Sequence, residues 1–414
     1  MEWLGKAKIN FIHSTSPIEL QYQNSQRTDL LHICEQSVPP CNLNPLLFNG
    51  HAQTCWAATE HEAPPIYFKR KIFQSNDEKY RGSFAVDFVV SPFTGVDNTL
   101  PERTILYHDD EPIDSDDTKP QLIILHGLTG GSHETYVRHC IAPLSEDENW
   151  DICVINSRGC AQSKLTSGVL YNGRATWDIR QVVQWYQKNF PKKLLFGLGF
   201  SLGANILTNY CGEEGGNCPL KAAIVCSNPF NLEVTSRALL RTFVGRNLYL
   251  RAMGGAVRDF WRNNEKEMRT YTNIEYDRIM RITTLTEFDR EVHCKTWGYP
   301  TVFTYYRDAS SSNSVLAIRI PFLALHATDD PIAVEEALPY DEFQQNPYTV
   351  LCTTSLGGHL CWFESGGGRW YTKPVTNFLN SMAFEIKNVY GNRASEQDCI
   401  RSFDPMRRAM NECR

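Results

Sequence analysis

The stretch from Leu194 to Asn205, LLFGLGFSLGAN, constrains the fold more than any other part of this 414-residue chain. An apolar run too short for anything but a buried strand meets Gly199-Phe200-Ser201-Leu202-Gly203 and passes into a helix-forming sequence. A strand, a sharp turn and a helix are the context that a G-x-S-x-G nucleophile elbow requires. The turn strains the serine backbone, and glycines two positions before and after it let strand and helix approach with no Cβ between them. Ser201 is therefore expected at the edge of a sheet, beside the positive end of a helix dipole. Pentapeptides of this form also arise by chance, so the rest of the chain has to supply a base, an acid and an oxyanion site.

The rhythm around the elbow predicts an α/β fold. After Pro120 the chain alternates between strand and helix: QLIILHG, a helix from Glu134 to Leu144, DICVINSRG, a helix from Ala175 to Phe190, the opening stretch, and a strand from Lys221 to Asn228. Alternation of this kind implies a parallel sheet with helices on both faces. Three β-rich runs precede it, IYFKRKIF, SFAVDFVV and TILYH, and look like an antiparallel lead-in. Residues 1–62 are expected as a mostly irregular arm around the denser segment NPLLFNGHAQT, in which His51 is expected to be a hydrogen-bonded structural histidine. The acidic run from Asp109 to Pro120 is expected to be a solvated loop, since its spacing matches no calcium loop. Residues 233–317 break the rhythm and predict an inserted helical cap, with Leu239, Leu240, Phe243 and Val244 on helical spacing. AIRIPFLALHATDDP and YTVLCTTSLGGH restore it, so that residues 63–232 and 318–386 form one core. A closing helix is expected from Pro374 to Ile386, and residues 387–414 are left as a polar tail.

A serine hydroxyl needs a base to take its proton, and the base needs an acid to fix its tautomer and stabilise its cation. Asp330 follows the strand ending at His326, and His359 follows the strand ending at Ser355, directly after Gly357-Gly358. Carboxyl ends of parallel strands line one crevice, so Ser201, Asp330 and His359 can converge there, in the chain order used on this fold. Asp329 competes with Asp330 for the role of the acid. The oxyanion needs two N–H donors. Leu202, directly after the serine, supplies one, and Leu128 in the loop His126-Gly127-Leu128-Thr129-Gly130-Gly131 is expected to supply the other. That loop lacks the lysine of a phosphate-binding loop, and no dinucleotide fingerprint follows a strand, so no cofactor is implied.

Composition narrows the class further. A net charge of −6 disfavours nucleic-acid binding. Fourteen cysteines without a C-x-x-C pair or a Cys/His cluster suit free thiols, no metal site and an intracellular setting. No signal-peptide run, myristoylation glycine, prenylation box or ~20-residue apolar span is present, which leaves a cytoplasmic protein or peripheral contact with lipid droplets or organelle membranes. The cap arginines 237, 241, 246, 251, 258 and 262 are read first as solvated helix faces, with attraction to a phosphate-bearing ligand or membrane surface as the alternative.

HGLTGGSHETYVRH, INSRGC, GFSLGAN, HATDDP, GGHLCWFE and NPLLFNGHAQT together resemble a branch of the α/β-hydrolase-fold esterases and lipases. That branch includes the fungal medium-chain fatty acid ethyl ester synthase/esterases and a yeast monoacylglycerol lipase. The resemblance spans about Asn44 to Ile386 and implies Ser201, Asp330 and His359 as the triad, Asp330 being favoured over Asp329 because it precedes Pro331. It implies a serine esterase or lipase acting on medium-chain acyl esters or monoacylglycerol, with acyl transfer from acyl-CoA to an alcohol as a second outcome of one acyl-serine. No H-x-x-x-x-D acyltransferase motif is present, so any transfer has to use the same serine. The other class to separate from it is a non-catalytic hydrolase-fold protein that binds a lipid or a partner.

Overall fold

The structure, a computed structural model, describes residues 4–59, 62–108, 111–113, 118–146 and 148–390. The arm contributes β1 (Ile9–His13), β2 (Glu19–Tyr22) and β3 (Arg27–Asp29), and the lead-in β4 (Tyr67–Gln74), β5 (Ser83–Val90) and β6 (Thr104–Leu106). The alternating region contributes β7 (Gln121–Leu125), β8 (Asp151–Asn156), β9 (Leu195–Phe200), β10 (Leu220–Cys226), β11 (Phe322–Ala327) and β12 (Thr349–Thr354), and β13 (Ile386–Tyr390) comes last. Ten of these form one sheet in the order β1-β12-β11-β10-β9-β7-β8-β5-β4-β6. The six strands from β12 to β8 run parallel to one another. They are buried on both faces, which is why they read as nearly unbroken apolar runs. β5 runs antiparallel to β8 and β4 to β5, whereas β6 is parallel to β4, so the lead-in is antiparallel apart from its last strand.

Helices cover both faces. α1 (Leu30–Ser37), α2 (Gly50–Ala57), α3 (Thr135–Ser145), α4 (Trp177–Asn189) and α5 (Leu202–Glu214) precede the cap. Side chains alternate across β7: Leu122 and Ile124 pack with residues of α1 and α3, while Ile123 and Leu125 pack with residues of α4 and α5. The cap lies between β10 and β11 and holds α6 (Leu232–Arg241), α7 (Leu250–Asn263), α8 (Glu265–Tyr271), α9 (Tyr276–Met280), α10 (Leu285–Glu291), α11 (His293–Trp297) and α12 (Val302–Ala309). α7 buries Leu250, Gly254, Val257, Phe260 and Trp261, one helical stripe against the core. α13 (Tyr340–Gln345) and α14 (Thr372–Asn380) complete the layers.

Three expectations change. The arm is not irregular: β1 adds an antiparallel edge to β12, and β2 and β3 form a second sheet with β13. The closing helix stops at Asn380; a wide π turn follows, and Ile386 opens β13 instead of ending a helix. The apolar quartet of the cap does not share one helix, because α6 ends at Arg241 and Phe243, past that end, is 74% exposed. Most of the expected tail, residues 391–414, and much of the acidic connector (109, 110 and 114–117) lie outside the described residues.

Candidate active site

β9 ends buried at Phe200, and Ser201 turns the chain into α5 with φ 51° and ψ −117°. A side chain with a Cβ is strained at that φ, so the turn has to be held from both sides. Ser201 N–H donates to the Cys226 carbonyl at the end of β10 (3.0 Å), and the Ser201 carbonyl accepts from Asn205 N–H in α5 (3.1 Å). A Cβ on Gly199 would lie 2.7 Å from Ala204 Cα, and one on Gly203 would lie 2.4 Å from the Leu125 and His126 carbonyl oxygens. The two glycines are thus set by close approach of β9, α5 and the end of β7.

His359 follows β12 and reaches across the crevice. Its Nε2 is 2.9 Å from Ser201 Oγ, and its Nδ1 is 2.8 Å from Asp330 Oδ2. A carboxylate only accepts, so Nδ1 carries the hydrogen and Nε2 accepts from the serine hydroxyl. Asp330 Oδ1 accepts two backbone N–H bonds, from Ile332 (2.8 Å) and Ala333 (2.9 Å). Burial alone would raise the Asp330 pKa, but the charge and hydrogen bond of His359, the nearby His326 and Ile332 N–H outweigh it and hold the carboxyl below its usual range. The histidine ring bonds Asp330 and not Asp329. Asp329 Oδ1 accepts from Gly358 N–H (2.9 Å), its Oδ2 is buried without a hydrogen-bond partner among the described residues, and burial pushes its carboxyl up to about 6.

The two expected oxyanion donors lie beside Ser201. Gly127 N–H donates to Tyr136 Oη (2.9 Å) and Thr129 N–H to Tyr171 Oη (3.1 Å). Between them, Leu128 N–H meets no acceptor among the described residues, and neither does Leu202 N–H at the first turn of α5. Residues 120–364 match the family described as alpha/beta hydrolase fold. The chain belongs to the α/β-hydrolase fold family. It is 38% identical to a monoacylglycerol lipase of Saccharomyces cerevisiae over 82% of this chain and 80% of the relative. It is 29% identical to medium-chain fatty acid ethyl ester synthase/esterase 2 of the same yeast, over 86% and 90% respectively. A human phospholipase is 28% identical over 77% of this chain and 72% of its own.

This hydrolase fold supports its crevice with polar groups that the sequence did not single out. Arg70 on β4 and Asp87 on β5 form a buried ion pair, Nε to Oδ1 at 2.6 Å, and Arg70 also donates to the Ala161 carbonyl. Asp87 Oδ2 accepts from Ser132 Oγ (2.6 Å) and Asn156 Nδ2 (2.8 Å), and Asn156 Oδ1 accepts from Ser132 N–H (3.0 Å). The network anchors the far end of the loop that follows β7. One signal was visible: a lone carboxylate inside the apolar run SFAVDFVV has to be paired if that run is buried.

The histidine loop is supported by the arm. Thr54 Oγ1 on α2 accepts His359 N–H (3.1 Å), and Gln53 Oε1 accepts Phe363 N–H (2.9 Å). A Cβ on Gly50 would stand 1.8 Å from the Asp329 carbonyl oxygen, so helix and acid loop touch directly. His51 hydrogen-bonds Tyr249 Oη through Nδ1 (2.7 Å) and stacks on its ring, tying the arm to the cap.

Ser201, Leu128 and Leu202 open into a cavity of about 100 Å3 roofed by the cap. That is many times the roughly 10–15 Å3 one water needs, so there is room beside Ser201 for more than a single water. Leu239, Leu250, Met253, Leu285 and Ile332 make much of its wall apolar. Of the cap arginines, 237, 241 and 262 pair with Glu233, Glu336 and Asp259, and Arg258 donates to the Ile282 carbonyl. Arg246 and Arg251 are exposed with no ion-pair partner among the described residues. Also among the described residues, no group of three or more His, Cys, Asp or Glu could hold a metal, and no helix is long and apolar enough to cross a membrane.

Proposed function

We propose that this protein is a serine ester hydrolase acting on medium-chain acyl esters, monoacylglycerol included, through Ser201, His359 and Asp330. The observation that carries the reading is the continuous hydrogen-bonded line from Asp330 through His359 to Ser201, opening on an apolar cavity beside two uncommitted amides. Ser201 Oγ attacks the ester carbonyl carbon as its proton passes to His359 Nε2. The charge gathering on the carbonyl oxygen faces Leu128 and Leu202 N–H, each donor of this kind contributing roughly 10²- to 10³-fold. Collapse breaks the bond to the leaving alcohol, which takes the proton from His359. Water then repeats the sequence on the acyl-serine and releases the acid. An alcohol entering in place of water gives a new ester, and an acyl-CoA thioester entering first supplies the acyl group for that transfer.

The names of the yeast relatives support both outcomes, since one is a lipase and the other a synthase/esterase. The apolar cavity supports an acyl chain, and the exposed apolar and basic residues of the cap support contact with a lipid surface. Medium-chain p-nitrophenyl esters should be turned over by the wild type and roughly 10⁴-fold more slowly, or worse, by Ser201→Ala. A fluorophosphonate probe should label the wild type at Ser201. Absence of both turnover and labelling would sink the proposal. Incubating one acyl-CoA with ethanol and water together, then measuring ester against free acid, separates transfer from hydrolysis.

A further inference from the structure

The loop that carries Leu128 is gripped from two directions. Leu128 N–H and the Gly127 carbonyl belong to one peptide plane, and that carbonyl accepts from His126 Nδ1 (2.7 Å). His126 Nε2 accepts Ser157 N–H (3.0 Å), so Nδ1 carries the hydrogen. Before the plane, Gly127 N–H donates to Tyr136 Oη (2.9 Å), and the Tyr136 carbonyl is fastened in turn by Tyr371 Oη at the N-cap of α14 (2.8 Å). These holders belong to the core. After the plane, Thr129 N–H donates to Tyr171 Oη (3.1 Å). Thr129 is a β-branched residue at φ 54°, a strained conformation that persists only where the surroundings hold it.

Tyr171, by contrast, is fastened to the cap. Its carbonyl oxygen lies 3.1 Å from His293 Nε2 on α11, and its ring meets the ring of Phe260 on α7 edge to face, with centroids 5.9 Å apart. A carbonyl only accepts, so Nε2 donates. His293 Nδ1 faces the Asp289 carboxylate of α10 (2.7 Å), whose other oxygen accepts from Tyr306 Oη of α12 (2.6 Å). Two residues on, Gly173 N–H donates to Tyr305 Oη of α12 (3.0 Å), while the Gly173 carbonyl accepts from Asn205 Nδ2 of α5 (2.8 Å). Residues 171–173 are thus a strap between the cap and the helix that starts beside Ser201. Tyr171 itself is buried and is not part of the cavity lining among the described residues, so its effect on the reaction has to pass through what it holds.

We infer that Tyr171 is a positioning residue for the oxyanion donor Leu128, and that His293 lets the cap set that position. The inference rests on the ester-hydrolase reading of Ser201. Full charge reaches the carbonyl oxygen only as Ser201 Oγ bonds to the carbon, so a donor aimed at the oxyanion acts on the transition state far more than on the bound ester. A peptide plane that loses this aim lowers kcat and leaves KM nearly alone. His126 and Tyr136 hold one end of the loop to the core, so the Thr129 end is the one that follows the cap.

The test measures kcat and KM on a medium-chain p-nitrophenyl ester and the Ki of an alkyl trifluoromethyl ketone, with thermal melting to show that each variant folds. Ser201 Oγ adds to the ketone carbon as its proton passes to His359 Nε2, and the carbonyl electron pair moves onto the oxygen, which then occupies the oxyanion site. Tyr171→Phe keeps the ring and removes the acceptor for Thr129 N–H. It should lower kcat by about tenfold or more, part of what one oxyanion donor supplies, with KM within about twofold of wild type. Ki should weaken by the same factor as kcat/KM, while saturating fluorophosphonate still labels Ser201 in full. His293→Phe should lower kcat about three- to tenfold with the same signature, and His293→Gln, which keeps a donor, should regain most of the loss. Neither should cost more in a Tyr171→Phe background. Losses that multiply there overturn the cap link, by giving His293 a separate role at the cavity it lines. A Tyr171→Phe variant that melts lower yet keeps kcat and Ki, or that raises KM alone, overturns the positioning role. If that variant does not fold, the His293 pair decides: kcat and Ki lost together in His293→Phe and regained in His293→Gln support the inference, and wild-type values in both overturn it. A wild type that turns over ester and labels at Ser201, with every variant unmoved, removes this inference alone. A wild type that does neither removes the ester-hydrolase reading beneath it.

Discussion

Asp329 and Asp330 are chain neighbours of identical chemistry, and only their hydrogen-bond partners separate them. Asp330 is held ionised against His359, while Asp329 is spent on Gly358 N–H and keeps one oxygen buried and bare. Asp330→Asn should lower kcat by about 10⁴-fold, because the histidine loses the acceptor that fixes its tautomer. Asp329→Asn should retain activity within a few-fold at pH 7–8, since an amide oxygen can still accept from Gly358. Equal losses in both variants would refute the assignment. Stability should change the other way. The Asp329 carboxyl sits at about 6 in the fold against an ordinary 3.8, so the unfolded chain ionises first, and folded-state stability falls as pH rises from about 4 to about 6. Above that window the loss is complete. Asp329→Asn should remove it, gaining on the order of 1–3 kcal/mol over wild type at pH 7, seen as a flatter profile of urea midpoints from pH 4 to 8. At this scale the sequence was informative where local context sets geometry, as at Ser201 between its glycines and His359 after its pair. It marked Asp87 as a carboxylate in need of a partner but did not name Arg70, because a cross-strand ion pair depends on β4 and β5 being in register and both covered.

Among the elements, α2 carries more of the site than its eight residues suggest. Asn49 caps it by accepting Ala52 N–H, and the helix then presents Gly50 to the acid loop and Thr54 to the histidine loop. Thr54→Val keeps the shape and removes the acceptor for His359 N–H; kcat should fall about three- to tenfold with KM little changed, in keeping with the loss of one hydrogen bond that positions the base. Gly50→Ala drives a methyl into the Asp329 carbonyl and should cost far more, lowering the melting temperature and fluorophosphonate labelling of Ser201 together. A Gly50→Ala protein with wild-type labelling and stability would show that α2 is a bystander. The segment NPLLFNGHAQT was legible as something dense, but its partners were not, because they lie about 300 positions away. β1 was missed for the same reason. INFIH is only partly buried, shows no strict alternation, and becomes a strand because β12 offers it an edge. The parallel strands, buried on both faces, announced themselves without help from distant residues.

For the molecule as a whole, the cap and the arm meet through His51 and Tyr249, and around that junction large apolar side chains are left exposed. Leu46, Phe48 and Trp56 lie on the arm side, and Phe243, Val244 and Leu248 on the cap side, next to exposed Arg246 and Arg251. Tyr249 itself packs with Leu239 and Leu250, which line the cavity. Exposed apolar side chains with unpaired arginines near them are what the proposed contact with an anionic lipid surface needs, at about 1 kcal/mol for each Lys or Arg close to it. A protein with net charge −6 would otherwise be repelled by such a surface, so any attraction has to be local. The wild type should therefore co-sediment with phosphatidylserine-containing vesicles more strongly than with neutral ones, and the difference should shrink as salt rises. Phe243→Asp with Leu248→Asp should weaken binding to both kinds of vesicle at least tenfold, because two apolar anchors become charges. Arg246→Gln with Arg251→Gln should abolish only the preference for the anionic ones. Turnover of a water-soluble ester reports whether each variant retains its site. Vesicle binding that ignores all four substitutions would place the lipid contact elsewhere, and self-association lost in the aspartate variants without any vesicle binding would assign the patch to a second copy of the chain.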